Sequence, residues 1–111
     1  MAPLSLQYAN NGWFGSDVNR DLTARSVMVA RIRCDAGGEQ NHIDLSIGGV
    51  TKRFGQYATS SGTNAVVTAT YQDVRIPMVE NGINRAAPGQ LSLSFWHGGT
   101  GSLWIEEIRF E

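Results

Sequence analysis

Short stretches in which apolar and polar residues alternate recur along most of the chain. In Ile43–Ile47 and Val74–Met78 every second residue is apolar. Alternation places successive side chains on opposite faces of a strand, so each stretch predicts a β-strand with one buried face. The predicted strands are Leu4–Tyr8, Val27–Asp35, His42–Ile47, Val50–Phe54, Ala65–Thr70, Tyr71–Met78, Leu91–Trp96 and Leu103–Phe110.

Turn-forming residues separate these stretches, for example Gly48-Gly49, Asn81-Gly82 and Pro88-Gly89. No window of eleven residues carries the apolar stripe of an amphipathic helix. Regular short strands with frequent turns are typical of all-β domains. We therefore predict an antiparallel β-sandwich of jelly-roll type, with about eight strands in two sheets, and a single domain over residues 1–111.

The last twenty-one residues predict a hairpin that carries two tryptophans. Leu91–Trp96 is followed by the glycine-rich turn His97–Gly101 and by the returning strand Leu103–Glu106. If Trp96 pairs with Trp104 across this hairpin, both rings share a polar face with Ser94, which suggests a stacking platform. The alternative is that one or both tryptophans fill the core, and a bulge at Glu106-Glu107 would turn Trp104 inward.

Two longer irregular stretches, Ala9–Thr23 and Val79–Gln90, are where a loop-borne site would lie. The first contains Trp13 and Phe14 between polar and glycine residues. Such a pair either plugs the end of a sandwich or projects as a binding contact, and we expect Trp13 to be the contact. Tyr8 would add a further stacking edge, although a lone tyrosine also serves structural roles.

Composition and charge exclude several classes of function. The 111 residues have a formal net charge of −1 and a pI of about 6.1, and their Lys and Arg residues are scattered, so the chain has no basic patch for nucleic acid. No apolar run approaches the roughly 20 residues that span a membrane. The single cysteine, Cys34, excludes an internal disulfide and predicts a small buried thiol.

Metal binding and catalysis have little support in the sequence. Glu39 is followed by further oxygen donors in Gln40–Asp44 and is a candidate calcium ligand. We expect such a calcium ion to be structural, and we expect no required cofactor. His42 and His97 share no zinc motif. Glu106 and Glu107 are neighbours in a predicted strand and should point to opposite faces, which does not suit a glycosidase pair. We therefore expect a protein that is not an enzyme.

Two of these stretches resemble the non-catalytic carbohydrate-binding modules attached to bacterial plant-cell-wall hydrolases. Tyr71–Pro77 is similar to a late strand of those modules, and Leu103–Phe110 is similar to their closing strand. The region from Gly37 to Val50 resembles the small calcium-using xylan-binding modules of families 36 and 60. Among all these modules, the chain looks closest to the glucan-binding family 81.

The resemblance implies a secreted β-sandwich that binds plant cell-wall polysaccharide and keeps a covalently linked glycoside hydrolase near its substrate. The ligand would be a β-1,4- or mixed-linkage glucan, including xyloglucan and cello-oligosaccharides, stacked on Trp96 and Trp104 with Trp13 as the third ring. Ser94 and Tyr8 would assist. Two alternatives remain: a calcium-dependent xylan binder that uses Glu39, and a structural or adhesion sandwich that assembles through its tryptophan face.

Overall fold

The described part of the protein folds into two antiparallel four-stranded sheets that pack against each other as a β-sandwich. The computed structural model describes residues 4–9, 12–18, 20–96 and 99–111. The strands in this part are β1 (Leu4–Ala9), β2 (Trp13–Asp17), β3 (Val27–Cys34), β4 (Asp44–Ile47), β5 (Val50–Arg53), β6 (Gln72–Pro77), β7 (Gln90–Ser94) and β8 (Thr100–Phe110). Sheet I has the order β1-β8-β3-β6, and sheet II has the order β2-β7-β4-β5. The predicted fold class is therefore confirmed.

The core lies between the two sheets and contains the apolar half of each alternating pattern. Sheet I contributes, among others, Ile32, Ile76 and Leu103, and sheet II contributes Leu45 and Leu93, all less than 4% exposed. The polar residues of the same strands point to solvent, so each sheet also has an outer face. The predicted turn at Gly48-Gly49 is present: both residues have positive φ, and they join β4 to β5 with Ile47 opposite Val50.

Two of the strand predictions were wrong. Residues 13–17 form β2, although they fall in a stretch predicted to be irregular. Residues 65–70 form no strand, although Ala65 and Val67 are buried and Val66 is exposed as alternation requires. The N–H of Val67 donates to the side-chain oxygen of Gln40 at 3.1 Å, so a side chain takes the place of a strand partner. In the described residues no helix has the length and apolar character needed to cross a bilayer.

Replacement of Tyr57 with phenylalanine should lower the free energy of unfolding by about 1–3 kcal/mol at pH 7, because the buried Leu45 carbonyl loses its donor. The Tyr57 hydroxyl is buried and donates to that carbonyl at 2.6 Å. Burial, and then the charge of Asp44, raises the pKa of Tyr57 from 10.0 to about 12.

The same substitution should change how stability responds to alkali. The unfolded chain ionises Tyr57 at a lower pH than the folded chain does, so this residue's contribution is complete below pH 10 and is lost towards pH 12. Urea unfolding at pH 8 and pH 11 measures the difference between wild type and Tyr57→Phe. We expect that difference to shrink at pH 11, and a constant difference would contradict the assignment.

Candidate functional site

The predicted hairpin between β7 and β8 does not form, and this correction separates Trp96 from Trp104. Strand β7 pairs with β2 and β4 in sheet II, whereas β8 pairs with β1 and β3 in sheet I. The glycine-rich connection thus passes from one sheet to the other. Trp104 lies opposite Ser5 and Arg33 on the outer face of sheet I, on the other side of the sandwich from sheet II.

Trp96 and Trp13 instead share the outer face of sheet II. Trp13 lies directly opposite Ser94, and the ladder continues through a 3.0 Å hydrogen bond from the N–H of Phe95 to the carbonyl of Gly12. Phe95 is 4% exposed, whereas Trp96 is 62% and Trp13 is 65% exposed, so the alternation of β7 continues for two residues beyond its end at Ser94. The two tryptophans are diagonal neighbours, and residues so placed are typically about 7–8 Å apart, with their Cβ atoms somewhat closer.

A glycine beneath Trp13 determines where its indole lies. A Cβ atom on Gly15 would be 2.7 Å from Cζ3 of Trp13 and 2.9 Å from Cδ of Gln90. The indole therefore extends along β2 over Gly15, away from Trp96, and occupies space that any other residue at position 15 would fill. Phe14, on the opposite side of β2, is half-buried against the core. Trp13 therefore projects from the sheet, whereas Phe14 packs against the core.

Polar side chains continue the outer face of sheet II beyond the tryptophans. One row across the sheet runs from Trp13 through Ser94 and Asp44 to Arg53. The next row runs from Gly15 through Ser92, Ser46 and Thr51, and the Ser46 and Thr51 hydroxyls lie 2.7 Å apart. Two flat rings beside the Ser94 hydroxyl, the Asp44 carboxylate and the Arg53 guanidinium form a surface with the chemistry to cover an apolar ring face and to hydrogen-bond the groups at its edge.

The end of the glycine-rich connection packs near the Trp96 end of this face. The imidazole of His42 occupies the position that a Cβ atom on Gly99 would take, and Gly99 is buried. His42 lies two residues before Asp44, which pairs with Ser94, so the β4–β7 register brings His42 towards Trp96. A glycine at position 99 therefore allows the connection to cross close to this end of β4. The predicted turn residues His97 and Gly98 lie outside the described residues.

The outer face of sheet I, where Trp104 lies, is instead covered by ion pairs. Asp73 bridges Arg31 and Arg109 at 3.2 and 3.3 Å, and Glu111 bridges Arg75 and Arg109 at 2.8 and 2.7 Å. Hydrogen bonding from Arg31 lowers the pKa of Asp73, and hydrogen bonding from Arg109 lowers that of Glu111. These carboxylates stay charged in mild acid, and their ion pairs are lost only as the pH falls below the ordinary carboxyl pKa range.

Glu106 and Glu107 were predicted to point to opposite faces, and that prediction is wrong. The ladder between β3 and β8 shifts at this point: Arg31 pairs with Glu107, Ile32 pairs with Ile105, and Glu106 is the extra residue of a β-bulge. Both carboxylates are exposed, Glu106 bonding Arg31 and Glu107 bonding Arg109. The bulge follows Trp104 in the chain and leaves it facing outward.

The remaining predicted site residues lie elsewhere. Tyr8 belongs to β1, opposite Gly101 in sheet I, and its side chain is not described. Glu39 is 4% exposed, and its Oε2 accepts hydrogen bonds from the N–H groups of Asp35 and Ala36 at 3.1 and 3.4 Å. In the part of the chain that the structure describes, no three His, Cys, Asp or Glu residues converge as a metal site.

Replacement of Glu39 with alanine should therefore destabilise the protein whether or not calcium is present. Two backbone donors at a buried turn would lose their acceptor, at a cost of about 1–3 kcal/mol in the free energy of unfolding. Thermal melts of wild type and Glu39→Ala in calcium chloride and in EDTA make the comparison. A calcium-dependent rise in melting temperature that only the wild type shows would instead identify Glu39 as an ion ligand.

A hydroxyl-rich groove of about 570 Å³ runs beside β6, the edge strand of sheet I. The Thr59 hydroxyl is 2.9 Å from that of Ser61 and donates to the Thr63 carbonyl at 2.7 Å. The hydroxyl groups of this loop, residues 59–63, thus form hydrogen bonds within the loop. The loop is held against β6 by a hydrogen bond from the N–H of Ser60 to the Arg75 carbonyl. The groove borders sheet I and contains neither Trp13 nor Trp96.

Sequence reasoning identified Trp13, Trp96 and Ser94, and the structure brings these three together. It missed Gly15, Gln90, Asp44 and Arg53, which share the same outer face. The signal for Gly15 was present in Trp13-Phe14-Gly15, where one aromatic residue faces outward, the next faces inward, and a glycine follows on the outward side. The contribution of β4 and β5 depends on which strands become neighbours, which no local pattern reveals.

This sandwich also occurs in a protein of known structure. No protein-family model matches the sequence, and no curated protein is significantly similar to it. The fold is similar to that of a family 30 carbohydrate-binding module of the cellulosomal cellulase Cel9D-Cel44B of Clostridium thermocellum, with a TM-score of 0.67 and 20% sequence identity. The match covers 98% of this chain and 73% of the other. The resemblance to carbohydrate-binding modules is confirmed in fold, and the assignment to family 81 stays a prediction.

Proposed function

We propose that this protein is a non-catalytic carbohydrate-binding module that binds β-glucan chains on the outer face of sheet II. The observation that carries the proposal is the pair of tryptophans on one sheet face, Trp13 at 65% and Trp96 at 62% exposed. Exposed large aromatic rings on the same polar face are costly to keep in water unless a ligand covers them. The fold it shares with a carbohydrate-binding module supports the proposal.

The chemistry of a β-glucan matches this face. Its pyranose rings have apolar C–H faces and hydroxyl edges. An indole buries the C–H face and loses little conformational entropy on binding. Ser94 and Asp44, in the row next to Trp13, would exchange hydrogen bonds with the hydroxyl edges. Because the Trp13 ring extends over Gly15, away from Trp96, the platform is elongated and favours a chain over a single sugar.

A targeting role follows from the same proposal. The structurally similar module belongs to a cellulosomal cellulase. We propose that this chain likewise directs a covalently linked glycoside hydrolase to plant cell-wall polysaccharide outside the cell. The carboxylates of Glu106 and Glu107 are each bonded by an arginine, which supports a binding role over a catalytic one.

Affinity electrophoresis tests the proposal directly. The protein is run through gels containing barley β-glucan, xyloglucan, neutral xylan or no polysaccharide, each with calcium and with EDTA. We expect both glucans to retard the protein to the same extent under the two conditions. Retardation by xylan only in calcium would favour the calcium-dependent xylan binder, and no retardation in any gel would refute the glucan module.

The exposed tryptophans also support a second candidate, a structural sandwich that assembles through the outer face of sheet II. Sedimentation velocity over a hundredfold concentration range distinguishes the two. A monomer at every concentration supports the sugar platform. Dimers that dissociate on mutation of Trp13 or Trp96, without any polysaccharide binding, would establish the assembly role.

A further inference from the structure

One arginine on the outer face of sheet I differs from its neighbours. Arg31, Arg75 and Arg109 each pair with at least one carboxylate, at distances between 2.7 and 3.4 Å. Arg33 makes no ion pair with any described residue. Its guanidinium carbon instead lies 3.9 Å from the centre of the Trp104 ring and 5.4 Å from that of Tyr71. Arg33 is therefore the cation of this face whose charge no carboxylate in the described structure neutralises.

Stacking on the two rings leaves the donors of Arg33 available. A guanidinium is planar and stacks through its flat face, while its N–H groups point outward along the edge of the plane. Arg33 and Trp104 are cross-strand partners on β3 and β8, so the ladder fixes their relative position. The contact with the two rings thus holds the guanidinium near the surface, and a guanidinium with free N–H groups can bind a carboxylate through two parallel hydrogen bonds.

We propose that Arg33, Trp104 and Tyr71 form a second sugar site that binds a uronic acid residue of an acidic polysaccharide. The uronate carboxylate accepts from the Arg33 guanidinium, and the C–H groups of its pyranose ring contact the parts of the half-buried Trp104 indole and of the Tyr71 ring that the guanidinium leaves uncovered. The site lies on the opposite side of the sandwich from Trp13 and Trp96. This second site is separate from the glucan site. The proposal rests on the proposed function in one respect, namely that the ligand is a polysaccharide.

The site predicts binding that depends on the ligand's carboxylate. Glucuronoxylan and the same polymer after carboxyl reduction are the two probes, compared by affinity electrophoresis at constant ionic strength. We expect wild type to bind glucuronoxylan at least about tenfold more tightly than the reduced polymer, the size expected for a charge-assisted hydrogen bond. Arg33→Gln should abolish that difference, and Arg33→Lys should keep only part of it because lysine lacks the planar fork.

Two control variants separate this site from general charge attraction and from the tryptophan face of sheet II. Arg75→Gln removes the same charge from the same face, but at an arginine that Glu111 already neutralises, and should keep the preference for glucuronoxylan. Trp96→Ala should keep it as well, because Trp96 lies on sheet II. Circular dichroism and melting curves confirm that each variant is folded.

Two outcomes would overturn the uronate site. One is equal binding of the two polymers by wild type, and the other is an equal loss in Arg33→Gln and Arg75→Gln, which would indicate non-specific charge attraction. The glucan proposal fails separately: it is refuted if neutral glucans do not bind, whatever Arg33 does.

Discussion

Replacement of Trp96 with alanine should reduce the affinity for β-glucan at least about thirtyfold, the effect of removing a hot-spot aromatic residue worth about 2 kcal/mol or more. The indole is 62% exposed and lies two residues beyond the end of β7, on the solvent side of the sheet. Its removal leaves no cavity in the core. The free energy of unfolding should therefore stay within about 0.5 kcal/mol of wild type. Trp13→Ala should have the same two effects.

Trp104→Ala is the matched control, because it deletes the same side chain from the opposite face of the same fold. Isothermal titration calorimetry with a soluble β-glucan oligosaccharide gives the affinities, and urea unfolding gives the stabilities. We expect Trp104→Ala to bind the glucan as wild type does. Loss of glucan binding in Trp104→Ala, with binding kept in Trp96→Ala, would place the platform on sheet I. A large fall in stability in Trp96→Ala would show that this ring supports the core.

Replacement of Gly15 with valine should weaken glucan binding at least about tenfold without removing any aromatic residue. The new Cβ atom would lie 2.7 Å from the Trp13 ring, so the indole must leave its position over β2. An aromatic platform held in the wrong place loses much of its contribution to binding. Gly15 is not among the glycines with positive φ, and valine is favoured in strands, so stability should be unchanged or slightly higher.

Thr51→Val introduces the same residue on the same outer face, but on β5 at the other edge of sheet II from β2. It should leave glucan affinity near that of wild type. Near-ultraviolet circular dichroism reports the environment of the tryptophans and should change in Gly15→Val alone. Wild-type affinity in Gly15→Val would mean that the position of the Trp13 ring over Gly15 does not matter for binding.

Alternation predicted seven of the eight described strands with small errors at their ends, because burial of one sheet face imposes a period of two on the sequence. It failed for β2, where the adjacent aromatics Trp13 and Phe14 conceal that period. It also failed for residues 65–70, where the pattern is present but the backbone makes only isolated hydrogen bonds, with Tyr57, Gly38 and Cys34. Burial shapes the pattern of side chains, whereas a strand also needs a continuous row of backbone partners.

The pairing of Trp96 with Trp104 was wrong for a related reason. A short glycine-rich connection joins the two strands of a hairpin and also joins strands in two packed sheets. Which of these forms depends on β1 and β3 flanking β8, and on β2 and β4 flanking β7. Those contacts link residues far apart in the chain. The sequence nevertheless indicated the chemistry of the site. Trp96 is in step with the polar residues Ser92 and Ser94, so its side chain is on their solvent-facing side whichever sheet the strand joins.

The position of β8 between β1 and β3 has a consequence for synthesis on the ribosome. β1 contains residues 4–9 and β8 contains residues 100–110, so the middle of sheet I is filled by the strand that is made last among the eight described strands. Until it emerges, β1 has no partner in its sheet and one edge of β3 is open. Such long-range pairing is slow to form and leaves apolar strands exposed in the meantime. A nascent chain stalled with β8 still inside the exit tunnel should therefore remain sensitive to protease, and resistance should appear only after β8 has emerged.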